Sequence, residues 1–208
     1  MTDAFSNQAV DWVTEYSRKP EPYFLYLAYT APHWPLHALP EDIARHRGKY
    51  RKGWDILRQE RYERQLGAGI VNRRWPLTPR DSAVPAWDTI ADKDAEDLRM
   101  AVYAAQVDRM DQGIGRVLDA VRRSGKDDNT LVLFLSDNGG CHEQNLASEK
   151  PGPPGPASSF TSYGRRWANL SNTPFRLFKH WVHEGGISTP LIARWPGHIK
   201  SGATTAQL

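Results

Sequence analysis

The sequence predicts an α/β protein with a mainly parallel sheet, because short apolar runs alternate with longer amphipathic stretches. The first apolar run, Tyr23–Tyr29, follows a predicted helix over Ala4–Arg18. The second run, Thr130–Leu135, follows a long predicted helix over Ala91–Ser124, and a third run lies at Pro190–Trp195. Runs that are apolar throughout are typical of strands covered on both faces, which favours parallel pairing.

The remaining stretches complete this pattern. Helices are predicted over Pro40–Tyr50 and Gly53–Asn72, whereas Arg73–Asp88 carries three prolines and is predicted to be a loop. A second irregular loop is predicted over Lys150–Ala157 from its prolines and glycines, and Ser158–Asn172 has no clear periodicity. We treat residues 1–208 as one domain, which we expect to be incomplete because no strand precedes the first helix and no element follows the last strand.

Composition excludes several classes of protein. The 208 residues are 39% hydrophobic and 25% charged, which is typical of a folded globular chain. The net charge is only +3 and the basic residues form no long run, which argues against a nucleic-acid partner. No apolar run approaches the roughly 20 residues of a membrane span. The single cysteine, Cys141, excludes a disulfide framework within the chain and argues against a cysteine-based zinc site.

Polar loops follow two of the predicted strands. Asp137 and Asn138 come directly after Thr130–Leu135, and their carboxylate and amide oxygens are ligands that suit Ca²⁺ or Mg²⁺. Gly139 and Gly140 then allow a sharp turn. Asp, Asn and Gly are also the commonest turn formers, so the motif taken alone more often marks a simple turn.

A stiff loop follows the first strand, because His33 stands in the sequence Pro32-His33-Trp34-Pro35. A histidine held in place in this way can donate a hydrogen bond to an anion or act as an acid. The alternative is a loop histidine bonded to the backbone. His37 is a weaker candidate for the same role.

Lys179 lies among aromatic residues shortly before Gly185-Gly186 and could pair with a sulfate or phosphate oxygen. Its alternative is an ordinary solvated lysine. His180 and His183 have a spacing that could hold a metal, but no third ligand stands near them in the sequence. Cys141 is interpreted as a buried or bystander cysteine, because no Cys-His-Asn order supports a reactive thiol.

The order of these motifs resembles that of bacterial arylsulfatases, members of the alkaline-phosphatase-like superfamily. The resemblance rests on Thr30-Ala31-Pro32-His33-Trp34-Pro35-Leu36, Ser136-Asp137-Asn138-Gly139-Gly140, Asn172-Thr173-Pro174-Phe175-Arg176-Leu177-Phe178-Lys179, and the block from His183 to Gly197. It spans most of the chain from about Pro22 onward, and its last block is the longest and most specific.

The resemblance implies a doubly wound α/β fold and the hydrolysis of sulfate esters to an alcohol or phenol and sulfate. It implies a Ca²⁺, or alternatively Mg²⁺, held by Asp137 and Asn138 together with two acidic residues that lie earlier in the family. It also implies that His33 contacts the sulfate and protonates the leaving oxygen, and that Lys179 binds the sulfate. The substrate would be a small sulfate ester or a sulfated carbohydrate, and exported relatives imply a periplasmic or secreted protein.

The chain departs from the family at the nucleophile, which is a formylglycine made from the first residue of a Cys/Ser-x-Pro-x-Arg motif. No such motif is present, since Cys141 is followed by His142 and Glu143. The early acidic pair also lacks a counterpart. The 208 residues are therefore expected to be a fragment with little turnover alone.

Two other functions remain open from the sequence. One is a phosphodiesterase or phosphonate hydrolase of the same superfamily, which would more often carry an Asp-x-x-x-His pattern that is missing after Asp137. The other is a non-catalytic remnant that binds sulfated ligands.

Overall fold

The computed structural model describes residues 1–144 and 152–205, and the chain divides into two compact units. The first unit contains Met1–Pro32, Gln106–Leu135 and Leu191–Leu208. The second contains His33–Ala105 and Ser136–Pro190. Every candidate site residue named above belongs to the second unit.

The described residues form six helices and two strands. In chain order these are α1 Thr2–Tyr16, α2 Pro40–Ala44, α3 Gly53–Gly67, α4 Lys93–Arg123, β1 Val132–Leu135, α5 Gly164–Ser171, α6 Glu184–Ile187 and β2 Leu191–Arg194. Two 3₁₀ turns, Trp87–Thr89 and Asp127–Asn129, precede α4 and β1 respectively.

Helix α4 is the longest element, and residues 93–105 belong to the second unit while residues 106–123 belong to the first. The helix is amphipathic, and Val102, Ala105, Met110 and Val121 on its apolar side are buried. Gly125 follows the helix with a φ of +70°, a left-handed conformation that glycine adopts at no steric cost. In the described part of the chain, no helix is both long and apolar enough to cross a membrane.

The sheet is smaller than the sequence predicts. Strands β1 and β2 pair antiparallel, with Val132 opposite Arg194 and Leu135 opposite Leu191. They confirm two of the three predicted strands. Within residues 1–144 and 152–205 no two strands pair in parallel, so the predicted mainly parallel sheet is not formed by these residues alone.

The remaining predicted strand, Tyr23–Tyr29, is not formed. This segment has no regular secondary structure, and Phe24 and Tyr26 are 92% and 79% exposed, while the residues alternating with them are half-buried. The prediction rested on apolar character, but a strand also requires a neighbouring strand to take its backbone hydrogen bonds. No described strand pairs with this segment.

Helix α1 packs against the later part of α4 within the first unit. Val13 joins Ala120 and Val121 in a small buried cluster. The helices approach closely at Gly113, where an added Cβ would lie 2.1 Å from the Ser6 hydroxyl oxygen. The carboxylate of Asp3 accepts hydrogen bonds from Arg109 and Arg116 at 3.0 Å each, which ties the first turn of α1 to α4.

The core of the second unit is built around three tryptophans. The rings of Trp54, Trp87 and Trp167 meet edge to face with centroid separations of 4.8 to 6.1 Å. Gly53 at the start of α3 has a φ of +79°, and a Cβ there would lie 2.1 Å from the Trp87 ring. Only glycine therefore permits this packing.

Helix α5 is not predicted from the sequence, because Ser158–Asn172 shows no clear periodicity. Tertiary contacts hold this short helix. Trp167 is fully buried and donates its indole N–H to Glu96 at 2.9 Å, while Arg166 pairs with the same carboxylate at 2.6 Å. The remaining predicted loops are confirmed where they are described, but Lys150 and Pro151 lie outside the described residues.

Candidate functional site

His33 is exposed, and the loop that carries it is anchored three residues later at Leu36. The backbone of Leu36 donates to Thr161 and accepts from Gly155, and its side chain is almost fully buried. The Nδ1 of His33 lies 2.8 Å from the carbonyl oxygen of Trp34. Because a carbonyl can only accept, Nδ1 carries the proton and Nε2 holds the lone pair of the neutral ring.

Lys179 meets His33 directly. Its Nζ lies 3.4 Å from His33 Nε2, and its side chain is half-buried. The neighbouring Phe178 is fully buried in the core of the second unit, which fixes the backbone next to the lysine. The structure thus brings together two residues that are 146 positions apart in the sequence.

The backbone on both sides of Lys179 is strained. Leu177 has a φ of 66° and His180 a φ of 88°, conformations that cost a non-glycine residue about 1–2 kcal/mol. Such strained residues are concentrated at ligand-binding and catalytic sites, where the surrounding structure holds them in place. Lys179 is therefore presented by a constrained backbone.

The Asp-Asn loop, residues 136–140, docks against the segment that carries Lys179. The backbone N–H of Gly139 donates to the carbonyl oxygen of Gly186 at 2.9 Å. The backbone N–H of Lys179 donates to the carbonyl oxygen of Gly140 at 3.2 Å. Asn172 completes the contact by accepting from the N–H of Gly140 at 2.7 Å.

This docking requires glycine. A Cβ at Gly139 would lie 1.8 Å from the carbonyl oxygen of Gly185, and a Cβ at Gly185 would lie 2.2 Å from the carbonyl oxygen of Arg176. Both backbones approach more closely than any side chain allows. The two Gly-Gly pairs noted in the sequence therefore serve close packing of one loop on the other.

Asp137 and Asn138 lie at the start of this loop. Asp137 is exposed, and Asn138 uses its Nδ2 to donate to the Gly139 carbonyl at 2.9 Å, which leaves its Oδ1 for another partner. Among the described residues, no hydrogen bond joins either side chain to His33 or Lys179. An exposed carboxylate next to an amide oxygen is a donor set that suits a hard cation.

Two of the weaker sequence candidates have other roles. His37 lies 2.6 Å from the carbonyl oxygen of Ser159, so its imidazole holds the loop rather than a ligand. His183 is the exposed residue that precedes α6. His180 lies 2.7 Å from a carboxylate oxygen of Glu143, so the partner of this histidine is a carboxylate that its spacing from His183 does not indicate.

The structure adds residues to the site that the sequence analysis set aside or did not name. Cys141 is buried, donates its thiol to Glu143 at 3.0 Å and accepts from the indole of Trp34 at 3.4 Å. Hydrogen bonds from Cys141 and His180 lower the pKa of Glu143 to about 2, so it is ionised at neutral pH. Burial raises the pKa of the Cys141 thiol, which therefore stays protonated.

A sequence signal for these residues existed. Cys141 and Glu143 follow the Asp-Asn-Gly-Gly turn, and His180 directly follows Lys179. All three lie within a few positions of a predicted site residue, but nothing in the chain order indicates that Glu143 and His180 meet.

The whole chain matches a family model. Residues 1–208 align with the model described as Sulfatase. An uncharacterised sulfatase of Schizosaccharomyces pombe is 37% identical over 94% of this chain, and an arylsulfatase of Klebsiella aerogenes is 32% identical over 99% of it.

A solved structure is also similar. Ps i-CgsB, crystallised in complex with k-i-k-neocarrahexaose, is 27% identical over 97% of this chain with a TM-score of 0.56. The chain spans only 38% and 47% of the S. pombe and K. aerogenes proteins and 29% of the crystallised one. Because the family model matches from the first residue to the last, this chain belongs to the sulfatase family.

Proposed function

We propose that the protein hydrolyses sulfate esters and that this chain supplies the sulfate-binding part of the active site. The observation that carries the proposal is the contact between Lys179 and His33. The segment that carries Lys179 is also bonded to the loop of Asp137 and Asn138, in the same unit. Family membership supports the reaction class, since both curated relatives named above are called sulfatases.

Lys179 would pair its ammonium with an oxygen of the sulfuryl group. A charge-assisted bond of this kind is stronger than a neutral one and strengthens further as charge builds on the oxygen. The constrained backbone at Leu177 and His180 supports this role, because it fixes where the lysine side chain leaves the main chain.

His33 would contact the sulfate and protonate the leaving oxygen. The bond from Nδ1 to the Trp34 carbonyl fixes the ring, so the atom that exchanges the proton is Nε2, the same atom that faces Lys179. A proton held at Nε2 can pass to the ester oxygen as the sulfur–oxygen bond breaks.

Asp137 and Asn138 would hold a Ca²⁺, or alternatively Mg²⁺. The exposed carboxylate of Asp137 and the Oδ1 of Asn138 fit such an ion in ligand chemistry. When bound, the ion would offset negative charge on the sulfuryl oxygens. The close glycine packing at Gly139 supports the arrangement, because it fixes the pair against the Lys179 segment.

We extend the proposal to the fold: residues 1–208 would be part of a sulfatase catalytic domain with a doubly wound, mainly parallel sheet. Apolar side chains of Tyr23–Tyr29, β1 and β2 are exposed, although such runs are normally covered on both faces. The relatives are two to three times longer than this chain and so have residues that could cover them.

The substrate class follows from the same site. The K. aerogenes relative is called an arylsulfatase, and Ps i-CgsB was crystallised with an oligosaccharide. Either a small sulfate ester or a sulfated carbohydrate would present the group that Lys179 and His33 bind. A formylglycine nucleophile has no source within these 208 residues, so we expect the chain alone to bind sulfate but to turn over little ester.

The test is sulfate binding by calorimetry with and without Ca²⁺, together with release of 4-nitrophenol from 4-nitrophenyl sulfate. We expect Ca²⁺ to tighten sulfate binding and turnover to stay near the blank. Lys179→Met should weaken binding about 10- to 100-fold, since a lost bond to a charged group costs about 1.5–3 kcal/mol. Lys49→Met, which alters an exposed lysine of the same unit, is the matched control and should leave binding unchanged.

Three outcomes would redirect the proposal. Tighter binding of phosphate or of a phosphodiester than of sulfate would favour the phosphodiesterase alternative. Binding of a sulfated oligosaccharide without any effect of Ca²⁺ would favour a non-catalytic sulfate binder. Sulfate binding that is unchanged in Lys179→Met would remove Lys179 from the site.

A further inference from the structure

Three side chains of different ligand chemistry meet beside Lys179. One ring nitrogen of His33, the Sγ of Cys141 and a carboxylate oxygen of Glu143 all lie within 4.8 Å of one another. We propose that these residues form a second metal site, separate from Asp137 and Asn138, that takes a divalent transition metal such as Zn²⁺. This inference rests on the three side chains and not on the proposed function.

The spacing fits a tetrahedral ion after small side-chain movements. With metal–sulfur and metal–nitrogen distances near 2.3 and 2.0 Å, ligand atoms around Zn²⁺ stand roughly 3.5 Å apart. The Sγ of Cys141 and the nearer oxygen of Glu143 are 3.0 Å apart in their hydrogen bond. His33 is exposed, and because its Nδ1 is bonded to the Trp34 carbonyl, Nε2 is the nitrogen that would complete the set.

Each of the three candidate ligands has a partner that orients it. The ring of His33 donates its other nitrogen to a backbone carbonyl, the usual arrangement for a metal-binding histidine. His180 holds the second oxygen of Glu143, and the indole N–H of Trp34 points at the sulfur of Cys141. Outer partners of this kind are typical of metal-binding side chains.

The types of ligand atom distinguish this site from the proposed Ca²⁺ site at Asp137 and Asn138. A thiolate and an imidazole favour Zn²⁺ or Co²⁺, whereas Ca²⁺ and Mg²⁺ prefer oxygen ligands such as those of Asp137 and Asn138. On binding, the S–H bond of Cys141 breaks, a metal–sulfur bond forms and the proton passes to solvent. Three protein ligands leave a fourth position for water or an anion.

Occupancy would also affect the sulfate site, and this one consequence does rest on the proposed function. The metal would take Nε2 of His33, the nitrogen that faces Lys179. A Zn²⁺-loaded chain would then lose the imidazole as a sulfate ligand, so Zn²⁺ would weaken the Lys179-dependent binding of sulfate.

The site is tested by titrating the chain with Co²⁺. Excess Ca²⁺ is present to fill the proposed site at Asp137 and Asn138. We expect one equivalent to bind with strong near-ultraviolet sulfur-to-cobalt absorption and intense visible bands of tetrahedral Co²⁺. Zn²⁺ should displace it. Cys141→Ser should abolish the sulfur band, Glu143→Gln should weaken binding more than 10-fold, and His180→Gln should weaken it about 10-fold.

His183→Gln and Asp137→Asn are the matched controls, and both should bind Co²⁺ normally. Circular dichroism of each variant checks that it is folded, and cysteine-to-serine replacement changes the side-chain volume little. Weak octahedral Co²⁺ spectra, an unchanged spectrum in Cys141→Ser, or loss of binding in Asp137→Asn would each overturn the second site. None of these readouts depends on sulfate binding, so failure here leaves the proposed function standing.

Discussion

The two compact units differ in how completely they bury their apolar side chains. In the second unit Trp54, Trp167 and Phe178 are fully buried in one continuous cluster. Among the residues that the structure describes, the first unit has a small cluster around Val13, and its strands expose large side chains, with Leu191 62% accessible. The apolar runs predicted as strands lie in the first unit and stay partly exposed, whereas the second unit buries its large apolar side chains.

All proposed site residues belong to the unit with the closed core. Phe178 is a member of that core and directly precedes Lys179, and Leu36 is another member three residues after His33. A site must be held to within about 0.5 Å, which needs neighbours locked by packing. The closed unit supplies such neighbours for the two residues that meet at the candidate site.

The largest effect is expected from opening the closed core. Trp167→Ala removes the ring at the centre of the tryptophan cluster and leaves Glu96 without its indole donor, which should cost about 3–5 kcal/mol of unfolding free energy. Urea unfolding followed by fluorescence measures it. Trp75→Ala, at an exposed tryptophan of the same unit, should cost far less, and equal losses would show that the cluster is not what holds this unit together.

The next effect concerns the loop contact. Gly139→Ala places a methyl group 1.8 Å from the Gly185 carbonyl, so the loops must separate at a cost of about 1–3 kcal/mol. We expect a lower Tm and weaker Ca²⁺-dependent sulfate binding. Gly115→Ala adds the same methyl group where nothing lies within 4 Å and should not lower the Tm, because alanine favours helix. Normal sulfate binding by Gly139→Ala would contradict the link between the loops.

His33 and His37 lie in one loop, but we expect His33 to bind sulfate and His37 to stabilise the loop. His33→Gln should weaken sulfate binding about 10-fold, the effect of losing a bond to a charged ligand, with little change in Tm. His37→Gln disturbs the 2.6 Å contact with the Ser159 carbonyl and should cost about 0.5–1.5 kcal/mol of stability with little change in binding. Thermal unfolding measures the stability of both variants, and calorimetry measures their sulfate binding. Weaker binding in His37→Gln and lower stability in His33→Gln would contradict these assignments.

A smaller effect is expected from the ion pair of the first unit. The hydrogen bonds of Arg194 lower the pKa of the Asp127 carboxyl, so this pair stabilises the fold above the ordinary carboxyl range and ceases to as pH falls through the lowered value. Asp127→Asn should therefore lower the Tm slightly at pH 7, with the difference from the parent shrinking toward pH 2. A difference that grows in acid would have the wrong sign.

The smallest effect is expected at the exposed strand face. Leu191→Thr replaces an exposed side chain on β2 with one of high strand propensity, so the free energy of unfolding should change by less than about 0.5 kcal/mol. Chemical denaturation of the 208-residue chain measures it. A loss above 2 kcal/mol would show that this face is covered in solution, for example by a second copy.

Prediction from the sequence succeeded where local pattern decides structure. The buried stripe of α4, the strands β1 and β2 and the start of α3 at Gly53 all follow from periodicity or from a single conformational requirement. It failed at Tyr23–Tyr29 and at α5. A strand needs hydrogen-bonding neighbours, and the eight-residue α5 depends on a distant Glu96, so neither outcome is encoded in the local pattern.

The sequence by itself determined the family and the candidate ligands, because the order of the Pro-His-Trp-Pro, Asp-Asn-Gly-Gly and Glu-Gly-Gly motifs is a property of the chain. Only the tertiary structure decided which side chains meet. Lys179 reaches His33 across 146 positions, and His180 reaches Glu143 across 37. Contacts at such separations depend on the packing of loops over a buried core, and burial is nondirectional, so residue order alone does not specify them.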